Sequence, residues 1–195
     1  MSDDFDPTTV ARRPFPNRPK TGLLAWQATI GYISMHHSPD ALLKLEAYAT
    51  PEGVLWAASA SWGQVEEERR DMPSLGDALR ELWLDIGTRY QIFTSMEDAA
   101  RSPIHYKDHE WLDEQTAKTL DHLIHILQTV YPDDWHVIII YQPVENPQTR
   151  VQSRLIASQN RVQAGGRGPT IRDACHVLYH NIARYIAANR RNQED

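Results

Sequence analysis

Pro73-Ser74-Leu75-Gly76-Asp77-Ala78 and Pro169-Thr170-Ile171-Arg172-Asp173-Ala174 are two spellings of one helix start. In each, a hydroxyl residue follows proline and an aspartate stands three residues further on. At that spacing the hydroxyl can accept a first-turn N–H while the acidic side chain reaches back to it, as in a capping box. Behind the first start, Leu75, Ala78, Leu79, Leu82, Ile86 and Tyr90 fall on one helical stripe. Behind the second, Ile171, Ala174, Cys175, Leu178, Ile182 and Ile186 do the same. Steps of three and four residues bury one face of an amphipathic helix. One offset, 170 − 74 = 96, also pairs Leu82 with Leu178, Trp83 with Tyr179 and Ile86 with Ile182.

Strand patterns precede both helices. Leu43, Leu45, Ala47 and Ala49 alternate with Lys44, Glu46 and Tyr48, and Thr50-Pro51-Glu52-Gly53 has type I turn chemistry. Val54, Trp56, Ala58, Ala60 and Trp62 resume the alternation, which completes a hairpin. Its other side carries the small residues Ala57, Ser59 and Ser61, able to accept a closely packed helix or a second subunit. Upstream, the alternation of Trp26, Ala28, Ile30 and Tyr32 predicts a further strand. Glu66 to Asp71 reads as a solvated charge run. In the second half, Trp135 to Tyr141 is a nearly continuous β-branched run suited to a central strand buried on both faces. Val151 to Gln159 reads as its returning partner, and Ala164 to Pro169 as a Gly-rich loop. Between the halves, Leu112 to Tyr131 predicts an amphipathic helix that ends at Pro132-Asp133-Asp134.

The expected fold is therefore α+β, an antiparallel sheet with helices on one face. It contains two related β-hairpin–helix units in the order β-β-β-α-α-β-β-α. Residues 1–22, with Pro7, Pro14, Pro16 and Pro19, read as a flexible arm. The first unit spans 23–104, and the linking helix with the second unit spans 105–188. A polar tail covers 189–195, and the whole forms one compact domain with an internal pseudo-repeat.

Bulk composition narrows the function classes. The chain of 195 residues carries a net charge of −6, unevenly spread. From Pro132 onward there are eight arginines and no lysine against six acids, a balance of +2, which leaves −8 for the remainder. An acidic protein repels nucleic-acid backbones, so a whole-surface nucleic-acid role is disfavoured while a local basic face in the last third remains open. Opposite charge on the two parts equally suits packing or self-association. No apolar run is long enough to span a membrane, the acidic N-terminus lacks a secretory h-region, and the single Cys175 fits a reducing cytoplasm.

Candidate chemistry is sparse. Gly165, Gly166 and Gly168 precede a helix whose N-terminus could receive an anion. Arg154, Arg161, Gly166, Arg167, Gly168, Thr170 and Arg172 are the candidate anion or nucleic-acid contacts. His176 and His180, four apart on one helix face, have a spacing that can hold a transition metal, but no carboxylate stands at a ligand spacing beside them. His105/His109 and His122/His125 repeat such spacings, and no HExxH occurs. Cys175 falls on the inward stripe, where a thiol is a small hydrophobe. No serine has a nucleophile-elbow context, so no catalytic residue and no cofactor is expected.

The run Gly166-Arg167-Gly168-Pro169-Thr170-Ile171-Arg172-Asp173-Ala174 resembles the G-x-G-x-S-K-K-x-A start of the last helix in double-stranded RNA-binding domains. The helix, strand, strand and Gly-rich link before it follow in a compatible order. The resemblance covers about a third of the chain and implies that fold type, with phosphate contacts at the helix start. Ile171 stands where the first lysine belongs, and only Arg172 and Arg167 keep positive charge. The leading expectation is a non-enzymatic protein–protein interaction or assembly protein, a homo-oligomer or subunit. Duplex-RNA binding through 161–172 is the second, and a metal-dependent enzyme using the histidine pairs is the third.

Overall fold

In the computed structural model, Gly22–His36 is a helix, α1, and not the upstream strand expected from alternation. The described residues are 19–90, 106–143, 148, 150–157 and 162–194. Within α1 the buried positions are Gly22, Leu23, Ala25, Trp26, Thr29, Ile30 and Ile33, whereas Ala28 is exposed. Trp26 and Ile30 satisfy a period of two and a period of 3.6 alike, and tertiary burial selects the second. Thr21 caps the helix by accepting the Leu24 N–H at 3.3 Å, so residues 21 and 22 belong to the folded body and not to the arm. Residues 1–18 lie outside the described residues.

The remaining elements are β1 (Leu42–Thr50), β2 (Gly53–Trp62), β3 (Val65–Met72), α2 (Leu75–Tyr90), α3 (Glu114–Val130), β4 (Trp135–Tyr141), β5 (Val151–Ala157), β6 (Val162–Gly168) and α4 (Ile171–Glu194). The order α-β-β-β-α thus occurs twice, which corrects the expected β-β-β-α-α-β-β-α. Two strands were hidden. The charge run Glu66–Asp71 lies in β3, at one edge of the sheet, where charged side chains protect an unpaired backbone. Glu67 and Arg69 face the helices and pair with Arg89 and Asp85 of α2. The Gly-rich segment is β6, at the opposite edge.

All six strands form one antiparallel sheet in the order β3-β2-β1-β4-β5-β6, and β1 pairs β4 through the centre. Leu43, Leu45 and Ala47 stand opposite Tyr141, Ile139 and Val137, all buried on the helix side. Ser153 there donates to the Ala174 carbonyl of α4 at 2.8 Å. A Cβ on Gly166 would overlap that carbonyl and lie 2.7 Å from the Leu178 amide nitrogen, so the glycine sets how closely α4 approaches β6. Trp111 fills a similar gap between α1 and α2, its ring lying where Cβ atoms on Gly22 and Gly76 would stand. Both helix starts have the expected cap geometry. Asp77 N–H donates to Ser74 Oγ at 3.1 Å and Ser74 donates to Asp77 at 2.6 Å, and Thr170 and Asp173 repeat both distances.

Candidate functional site

Because the strands pair in register, the face away from the helices can be read as rows. One row runs Leu55, Tyr48, His136, Ile156, Gln163 from β2 to β6. The next runs Ala57, Glu46, Ile138, Arg154, Gly165. A third runs Glu68, Ser59, Lys44, Ile140, Gln152, Arg167 and crosses all six strands. The helices pack on the other side, through contacts such as Trp62 with Tyr90 of α2 and Ser153 with Ala174 of α4, and α1 packs on α2 through Trp26 and Trp83. The small residues Ala57, Ser59 and Ser61 therefore lie on the helix-free side.

Glu46 is the centre of the first half of this face, with only 3% of its side chain exposed. Lys44 Nζ lies 2.5 Å from it, His136 Nε2 2.9 Å and Arg70 3.4 Å. Arg70 comes from the edge strand and reaches over β2, where Ala57 leaves room. The register shift between Trp56 and Ala58 sets Arg70 and Asp71 opposite that alanine, as a β-bulge does. Asp71 itself has φ of 59° and is tied to Tyr48, whose hydroxyl donates to its carboxylate at 2.7 Å and accepts its N–H at 3.0 Å. The hydrogen bond from His136 holds the Glu46 carboxyl at about 2, with Lys44 adding to it against the opposing cost of burial. This network joins β3 to β4 and so crosses the seam between the two halves.

The second half carries a concavity of about 460 Å³ lined by Ile138, Ile140, Gln152, Ser153, Arg154, Gly165, Gly166, Arg167 and Val177. Neither Arg154 nor Arg167 has an ion pair or side-chain hydrogen bond among the described residues. Glu66 on β3 is likewise exposed and unpaired among them. No family model, curated protein or solved structure matches this chain.

The expected anion contacts divide. Arg154, Gly166 and Arg167 meet at the concavity. Gly168 packs against Asp173 under the helix start, and Thr170 is engaged in its cap. Arg172 is exposed and 3.8 Å from Asp173, while Arg161 lies outside the described residues. His176 and His180 are exposed, with their Nε2 atoms 2.9 Å apart, and no third ligand joins them among the described residues. Cys175 is fully buried beneath α4, and burial pushes its thiol to about 12. It stays protonated there and packs as core. The Glu46 cluster escaped sequence reasoning, because Lys44, Glu46, Arg70 and His136 show no common spacing and only strand pairing gathers them. No described helix is long and apolar enough to cross a membrane.

Proposed function

We propose that this chain is a non-enzymatic interaction protein of the cytoplasm, and that its helix-free sheet face is the surface it presents to another protein. An internal duplication of the α-β-β-β-α unit would account for the strand order on either side of the β1–β4 seam. The observation that carries the reading is β4. Its sequence, Trp135 to Tyr141, is written for burial on both faces, yet Ile138 and Ile140 are only part-buried and no described helix covers them. Central-strand isoleucines left on an open face mark a surface that is covered in use.

The test is the native mass of the tagged full chain in extracts of its producing cell, for wild type and Ile138→Lys/Ile140→Lys. Wild type should migrate well above its 22.4 kDa and the variant should fall to that mass. A wild-type chain that already migrates as a monomer would end the reading. A second reading, contact with duplex RNA as the family resemblance implies, is favoured by the unpaired Arg154 and Arg167 alone. Acidic residues on the same face, Glu66 and Glu68, weigh against it.

A further inference from the structure

We infer that the occupant of the helix-free face is the same face of a second copy of this chain, related by a two-fold axis parallel to the strands. Arg167 of each copy then lies over Glu68 of the other, with Arg154 and Glu66 one row to either side. This rests on the reading above that the face is an interaction surface, and it names the partner and the orientation.

Charge selects both. On this face β3 contributes Glu66, Glu68, Arg70 and the Asp71 carboxylate held by Tyr48, a balance of −2 within which Glu68 already pairs with Arg70 at 3.1 Å, whereas β5 and β6 contribute Arg154 and Arg167, +2. Lys44 and Glu46 cancel between them. The acidic edge strand and the basic pair thus stand on opposite sides of an apolar centre formed by Ile138, Ile140 and Leu42. A two-fold axis along the strands lays β3 of one copy over β6 of the other while keeping each row at its own level. The row that begins at Glu68 and ends at Arg167 then faces its own reverse, and both ends become complementary at once. An axis across the strands would instead stack β6 on β6 and set arginine against arginine. An isologous contact of the first kind closes on itself and leaves no free end.

Area agrees. Six strands about 4.8 Å apart and about seven residues long cover roughly 29 by 24 Å. That is about 700 Å² from each copy, or about 1,400 Å² in all, within the range of stable specific interfaces. Two twisted sheets packed face to face at about 30° keep most of that overlap. Ser61 leaves room for side chains of the facing sheet, Ala57 and Ser59 being already buried under their neighbours, and the concavity beside Gly165 leaves room for the glutamates.

The experiment is sedimentation of the purified full chain and two charge-reversed forms, Arg154→Glu/Arg167→Glu and Glu66→Arg/Glu68→Arg. Wild type should sediment at twice 22.4 kDa at about 10 µM. Each reversed form places like charges at both ends of the interface, so its self-association should weaken by about 100-fold or more. An equimolar mixture of the two should recover a dimer, because every reversed contact is again opposite in sign. That recovery also shows that both variants are folded. A wild-type monomer would overturn the proposal, as would reversed forms that dimerise like wild type or a mixture that stays monomeric. A wild-type monomer that dimerises only after removal of residues 1–18 would assign the face to the chain's own arm and overturn it too. If the arginine variant loses duplex-RNA binding with its mass unchanged, the face belongs to RNA and the proposal fails. A monomeric purified chain with a larger mass in the extract leaves the interaction reading standing and removes only the second copy as partner.

Discussion

Replacing Glu46 by glutamine keeps the shape of the side chain and removes the charge that Lys44, His136 and Arg70 share. The native carboxyl is held near 2, against 4.5 when unperturbed, first by the His136 hydrogen bond. A group whose folded value is depressed contributes stability that is complete above its unfolded value and is lost as the pH falls toward the folded one. The contribution of Glu46 is therefore full above about pH 5 and fades between about 4.5 and 2. A displacement of that size corresponds to about 3 kcal/mol at neutral pH, falling to about 1.4 kcal/mol at pH 3. Lys44, His136 and Arg70 are themselves 30%, 31% and 45% exposed, so solvent screening makes this an upper value. Urea unfolding of wild type and Glu46→Gln at a series of pH values measures the difference directly. The gap should be at most about 3 kcal/mol at pH 7 and should shrink by about half at pH 3. Parallel pH profiles for the two proteins would refute the network as the origin of the shift.

Two glycines make a matched pair. Gly166→Ala drives a methyl into the α4 backbone at Ala174 and Leu178 and should cost about 3 kcal/mol or prevent folding. Gly31→Ala on α1 meets nothing within 4 Å and should raise stability by about 0.5–1 kcal/mol, both read by thermal or urea unfolding. Cys175 should resist thiol reagents in the native protein at pH 8 and react only as fast as the chain opens, since burial holds its thiol at about 12. Rapid stoichiometric labelling under native conditions would contradict its place under α4.

The two capped helices were legible because their signals are local. Ser74 with Asp77, and Thr170 with Asp173, act across three residues, and the stripes behind them depend on helical period alone. The central strand Trp135–Tyr141 and the hairpin around Thr50–Gly53 were legible for the same reason. Where two periods overlapped, the sequence could not choose. Trp26 and Ile30 suit either period, and the burial of Ile33 and Thr29 against the rest of the fold made α1 a helix. β3 looked solvated because its charges are satisfied across space, Arg69 by Asp85 and Glu67 by Arg89. β6 looked like a loop because its glycines serve the approach of α4, a contact that no short-range rule encodes.

The same division runs through the candidate site. From sequence alone, Arg154 and Arg167 were two of eight arginines in a mildly basic third of the chain. Pairing of β4, β5 and β6 placed them beside Ile138 and Ile140 on an open face, and pairing of β1 with β4 brought His136 to Glu46. Composition, caps and periodicity determined that this protein would be a sheet with helices along one side. Which side stayed bare, and which charges meet there, was decided by strand register, because residues some ninety positions apart become neighbours only when hydrogen bonds between strands fix them opposite one another.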